Sequence, residues 1–252
     1  MMAKIFVCLA LVSLLGAVGC QAADGANTPK SKLDAILTAL LWKPDHSDPD
    51  TSSGENPGWY NPTNREALAG FMIKYPDTED AYLAEAWLTF AEAATDRSRS
   101  ISETKRRNAG RADRLKVIVT TTRRPGTAKI ARIIRACLLL DVEDHGGLSA
   151  QVDDVLANIK DYKSEKDKEF LRFSEVTETP PAEIEPYLRR MLIISECHQH
   201  NLDKALALAQ ELKNKFPGWS KREGTDANIY LLKLGKSPYP TWEEMRDVGR
   251  MK

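Results

Sequence analysis

Cys197-His198-Gln199-His200 is the densest group of potential metal ligands in the chain. A thiol and two imidazoles within four residues offer the soft and borderline donors that zinc takes. On a helix, positions 197 and 200 lie one turn apart, while 198 points elsewhere. No fourth ligand follows nearby, since His145 and His46 are distant in sequence. Cys197, His198 and His200 are therefore weak metal candidates, set against a plainer reading as polar residues of an interhelical turn. Cys137 sits among Ile133, Ile134, Ala136, Leu138 and Leu139 and reads as a buried thiol. Outside the cytoplasm it could instead pair with Cys197.

Charge is the second source of chemistry. Residues 96–135 hold thirteen basic and three acidic side chains, and residues 141–185 hold thirteen acidic and five basic ones. Two accounts stand: helices of opposite sign that neutralise each other, or a basic face for an anionic lipid, lipopolysaccharide phosphate or acidic protein. Arg106, Arg107, Arg111 and Arg114 are the candidate anion or partner contacts. Their spacing spreads them over more than one helix face. Asp45, Asp48, Asp50 and Glu55 cluster in one loop; Asp48-x-Asp50-x-Ser52 begins like a calcium loop, but Ser53 stands where the sharp turn needs glycine and no bidentate Glu follows in place, so they read as a solvated loop.

Signatures of catalysis are missing. Ser102-Glu103-Thr104-Lys105 fits an S-x-x-K pattern, yet the companion S-D-N and K-T-G elements do not occur. Neither do H-E-x-x-H, G-x-S-x-G or a Walker loop. No enzyme activity and no cofactor are expected. Lys+Arg and Asp+Glu both number 36, so a globally basic nucleic-acid binder is excluded. Four cysteines in 252 residues are too few for a disulfide framework.

The start of the chain sets the expected compartment. Lys4 precedes an apolar run, Ile5 to Ala17, which is shorter than the ~20 residues of a membrane span and fits the core of a signal peptide. Ala17-Val18-Gly19-Cys20 follows. This segment resembles the bacterial lipobox, although Ala17 replaces the usual leucine. The resemblance implies acylation of Cys20 as the mature N-terminus. Gln21 after it, by resemblance to enterobacterial lipoproteins, implies the outer membrane, facing the periplasm. Cleavage after Ala22 or Ala23, with plain secretion, is the alternative. The expected domains are a signal peptide at 1–19, a lipidated cysteine and flexible tether at 20–30, and one helical-repeat domain at 31–252.

That domain has helical periodicity and poor strand signals. Helices are expected over 31–42, 63–75 (capped by Thr63 with Glu66), 79–94, 100–119, 127–142, 149–162, 164–174, 182–198, 202–215, 221–234 and 241–248. A long Pro/Gly/Asp/Ser loop spans 44–62, with Trp59 and Tyr60 expected to cap the core, and Gly146-Gly147 marks a turn. Such a chain is an irregular bundle or an α-solenoid of helix pairs.

Two segments bear on that choice. In Gln199–Pro217, Ala205 and Ala209 lie one turn apart, Leu212 follows, and Pro217 ends the segment. It resembles the second helix of a tetratricopeptide repeat, beginning at Leu202-Asp203-Lys204-Ala205. The preceding helix departs from the family, with Arg189, Ile193 and Glu196 where Trp, Gly and Tyr are usual. Phe71–Ala91 resembles the repeats of outer-membrane assembly lipoproteins. Tyr75-Pro76 recurs as Phe216-Pro217, 141 residues later, which is about four repeats of roughly 34. The resemblance implies an all-α, tetratricopeptide-like solenoid acting as a non-enzymatic scaffold for envelope proteins, held at the membrane by its acyl anchor. A metal-binding protein or small enzyme using Cys197, His198 and His200, or an anion- or lipid-binding module using residues 97–135, are the alternatives. The partner and the oligomeric state stay open.

Overall fold

The computed structural model describes residues 28–41, 57–96, 100–164, 166–241 and 243–244. The expected signal peptide at 1–19, Cys20, the acidic loop residues Asp45, Asp48, Asp50 and Glu55, and most of 241–248 lie outside the described residues.

The described chain is all-α, with twelve helices and no strand. They are α1 (Pro29–Leu40), α2 (Pro62–Lys74), α3 (Glu79–Thr95), α4 (Ile101–Thr121), α5 (Pro125–Asp141), α6 (His145–Ala157), α7 (Ile159–Tyr162), α8 (Lys168–Val176), α9 (Ile184–His198), α10 (Leu202–Lys215), α11 (Pro217–Arg222) and α12 (Thr225–Lys233). Among the described residues no helix is long and apolar enough to cross a membrane.

Polar side-chain caps set half of the twelve starts. The side chains of Thr28, Asn61, Thr78, Ser100, Asp144 and Asp167 each accept a backbone N–H from the first turn of the following helix. Each satisfies a donor that the helix cannot satisfy itself. Two of these caps correct the sequence expectation. Asn61, not Thr63, caps α2, because its Oδ1 accepts Thr63 N–H at 3.0 Å and Pro62 fills the first helical position. Gly146 and Gly147 lie inside the first turn of α6, not in the connection. Asp144 caps that turn at 2.9 Å, and Glu143, at φ 60°, makes the reversal instead. The expected helix 149–162 is broken at Asn158 into α6 and α7, and 221–234 is broken at Gly224, whose φ of 66° a side chain would resist.

Two aromatic–proline pairs end their helices in matching fashion. Tyr75 sits at φ −129°, ψ 55° and bonds back to Phe71 O; Phe216 sits at φ −131°, ψ 63° and bonds back to Leu212 O. In both, the residue before proline is pushed out of the helical region.

Packing runs mostly between chain neighbours. α2 pairs with α3, α4 with α5, and α9 with α10, while α3 also lies on α5, and α10 on α12. Helix α5 is the exception. It packs against α3, α4, α6, α8 and α9, and from Gly126 to Ile134 only Arg132 is not buried.

Two buried apolar clusters result. The larger holds Leu37 of α1, Trp87 of α3, Leu115 of α4, Ile130 and Leu138 of α5, Phe170 of α8 and Leu188 of α9. The smaller holds Ile193 and Cys197 of α9, Ala205, Ala209 and Leu212 of α10, and Trp219, Ile229 and Leu232 beyond. Trp59 packs on the larger core with its ring 5.9 Å from that of Phe90, in the capping position expected of it. Its short 3₁₀ turn, Gly58–Tyr60, fits close to the end of α1, where a Cβ on Gly58 would lie 2.0 Å from Ala39 O.

Candidate functional site

The arginines of α4 do not form a bare basic face. They lie against a row of carboxylates on α3. Arg111 is buried and meets Asp96 at 2.8 Å and Glu92 at 3.3 Å. Arg114 meets Glu85 at 2.7 Å and Glu92 at 3.0 Å. Arg107 meets Asp96 at 3.3 Å and also pairs with Glu103 on its own helix. Arg106 is exposed and makes no ion pair with a described residue. These four line a hollow of ≈ 700 Å³ with Glu92, Asp96 and Arg65. Arg65 is held rigid by Trp59 O at 2.8 Å and Thr95 Oγ1 at 3.2 Å. Sequence reasoning missed Arg65, since it stands outside the basic stretch and nothing local marks it.

The opposite-charge stretches meet in part. Lys105 pairs with Glu143 at 2.7 Å, Arg132 with Asp154 at 2.9 Å, Lys129 with Asp167 at 3.4 Å and Arg124 with Glu169 at 3.5 Å. Mutual neutralisation of neighbouring helices therefore accounts for much of the asymmetry.

The Cys197–His200 segment does not bring its three donors together. Cys197 belongs to the smaller core, where burial pushes its thiol pKa up and the Ser237 hydroxyl opposes that rise. His198 faces His145, with ring centroids 6.4 Å apart. Burial lowers the His198 pKa, Glu143 opposes, and His145 adds to the lowering. His200 is exposed on the turn, at φ 58°. Among the described residues no group of three His, Cys, Asp or Glu side chains is placed to hold a metal ion. What the fold adds is His145, distant in sequence, whose Nδ1 lies 2.8 Å from Ser195 Oγ. Cys137 and Cys197 are both free thiols and occupy different clusters.

A third feature had no sequence signal. A cavity of ≈ 440 Å³ lies between α3, α5, α8 and α9, walled by Phe90, Ile133, Ile134, Leu138, Phe173 and Ile184. Polar groups reach it from Cys137, Asp141 and Tyr187, and from Thr177 and Thr179 at the end of α8. Cys137 Sγ and Tyr187 Oη are 3.9 Å apart. Burial raises the Cys137 pKa to about 12, so this thiol is no nucleophile near neutrality.

Compared with known proteins, the chain matches no family model, no curated protein and no solved structure.

Proposed function

We propose that the chain is a non-enzymatic lipoprotein of the bacterial envelope that presents tetratricopeptide-like helical hairpins to a partner protein. In this reading Cys20 carries the acyl anchor and the body faces the periplasm from the outer membrane. The observation that supports it best is the recurrence of one helix-ending device. Tyr75-Pro76 and Phe216-Pro217 cap α2 and α10 with backbone angles that agree within 8°. Small residues add to this. Ala205 and Ala209 are both buried on α10, as a close α9–α10 approach requires.

In-cell cross-linking followed by affinity purification and mass spectrometry tests the scaffold role. One envelope protein in near-equal amount is expected, and its yield should fall in an Ala209→Leu variant that forces α10 away from α9. Recovery without any protein partner overturns the reading. Cys20→Ser should abolish acyl labelling and release the protein to the soluble fraction; a variant that stays with the membrane overturns the anchor.

A second reading is an anion-binding module, favoured by exposed Arg106 on the rim of the arginine-lined hollow. It predicts salt-sensitive binding of the unacylated protein to anionic vesicles, lost in Arg106→Glu. No binding at low salt ends it.

A further inference from the structure

The cavity between α3, α5, α8 and α9 has an uneven chemistry. Its walls are aliphatic and aromatic, and Asp141 is the only charged lining residue among the described residues. Asp141 ends α5 and, as a residue, stands exposed at the rim. Its carboxyl still has enough protein around it for desolvation to raise its pKa to about 6. Asn108 Nδ2 donates to Oδ2 at 3.3 Å, and no described cation pairs with it. The two other ionisable groups facing the cavity, Cys137 and Tyr187, are both held neutral. Burial acts on Cys137; the neighbouring thiol and burial act on Tyr187.

The volume falls in the range of small-molecule sites, and apolar walls with a few convergent polar groups are their usual composition. Solvent reaches Asp141, but its carboxylate lies beside apolar surface with no described counter-ion, a modest electrostatic cost that a bound cation would relieve. A ligand carboxylate would add to that cost, and an alcohol would leave it largely in place. We propose that this cavity is a binding site for a small apolar amine, with its ammonium on Asp141 and its hydrocarbon body against Phe90, Ile134 and Phe173. The Tyr187 hydroxyl and Cys137 thiol lie along the same wall, where they can hydrogen-bond a polar substituent on that body. This site is independent of any partner-binding groove, so it stands or falls separately from the scaffold reading.

Calorimetric titration of decylamine, decanol and decanoate into the purified chain, in detergent-free buffer near pH 7.5, tests it. Decylamine should bind one to one and on the order of tenfold more tightly than either analogue, the ratio one ion pair supplies. Asp141→Asn should erase that preference and leave apolar binding in place. Ala93→Phe and, independently, Thr177→Phe should fill the cavity and abolish decylamine binding while the helical circular dichroism is kept. Equal or tighter binding of decanoate, a preference that survives Asp141→Asn, or binding that survives in folded cavity-filled variants overturns the proposal. So does a folded wild-type chain that takes no decylamine at millimolar concentration.

Discussion

The large core around α5 and the small core beneath α10 are built by different means. Around α5 the mass is aromatic and branched: Trp87, Phe90, Phe170 and Phe173 form a connected group of rings, with centroid spacings of 5.6–6.2 Å. Beneath α10 the contact depends on smallness, with Ala205 and Ala209 both at most 1% exposed. The one-turn spacing of small residues, Ala205 and Ala209, is confined to the second region, and the reason is geometric. A helix that meets few neighbours must keep small residues on one stripe, so its pattern is constrained. Helix α5 meets five neighbours, so its apolar surface is wide and leaves only a narrow polar stripe at Arg132 and Arg135.

The comparison breaks most visibly at Trp87. It is 1% exposed and joins the rings of Phe90 and Phe173. Trp87→Ala should cost about 3–5 kcal/mol, enough to unfold many domains of this size. Denaturant unfolding followed by circular dichroism measures it. If the smaller core stood alone, α10 and α12 amides would stay protected from hydrogen exchange in this variant; if the two cores fold together, protection is lost throughout.

Glu185 is the joint between the regions. It begins α9, is 4% exposed, and meets Lys215 of α10 at 2.6 Å, Lys163 at 2.9 Å and Arg189 at 3.2 Å. Burial alone would raise its pKa, but the hydrogen bonds from Lys215, Lys163 and Arg189 outweigh it and hold the carboxyl at about 2. A folded-state value below the ordinary 4.5 means the stabilisation is fully present above that pH. It is lost as pH falls from about 4.5 towards 2. Glu185→Gln takes the shared carboxylate from Lys163, Arg189 and Lys215 and should cost about 1–2 kcal/mol at pH 7, since those cations are 40%, 21% and 47% exposed and Arg189 keeps Glu211 at 2.9 Å. The same variant should show a flatter loss of stability between pH 4.5 and 2 than wild type, measured by thermal unfolding at stepped pH. An equal slope in both removes Glu185 as the joint.

A comparable effect sharpens the contrast in packing. Ala209→Leu adds bulk where α10 closes on α9 and should cost about 1–3 kcal/mol through overpacking. Its hydrogen-exchange signature should be confined to α9, α10 and α12. Faster exchange spreading to α3 and α5 would show that the two cores are one mechanical unit.

How much of this was legible follows the same division. Helix α10 spans Leu202–Lys215, the range its spacing predicts, because Asn201 and Phe216-Pro217 punctuate it clearly. The all-α class was legible from periodicity alone. The break inside 149–162 was missed, although its cause is local: the exposed Asn158 takes φ −113° and its Nδ2 donates to Asp154 O at 2.9 Å, competing with the helix. The Gly146-Gly147 pair misled because a dominant cap, Asp144, draws glycine amides into a helix start. Sites fared worse than elements. Arg65 and the arginines of α4 converge from two helices, as do Asp141 and Tyr187, and such convergence has no trace in linear spacing.

The smallest expected effect separates the arginines that the sequence grouped together. Arg106 is exposed and unpaired among the described residues, so Arg106→Ala should change stability by no more than about 0.5 kcal/mol. Arg111 sits 9% exposed between Asp96 and Glu92, and its loss would take the 2.8 Å ion pair from the Asp96 carboxylate, itself 3% exposed, leaving the longer contact to Arg107 at 3.3 Å. The same truncation at position 111 should therefore cost several times more, with urea unfolding as the measure. A pair of equal, near-zero effects would mean that the α3–α4 ion pairs are solvated surface contacts, and the hollow they line would then be no more preformed than any other charged helix face.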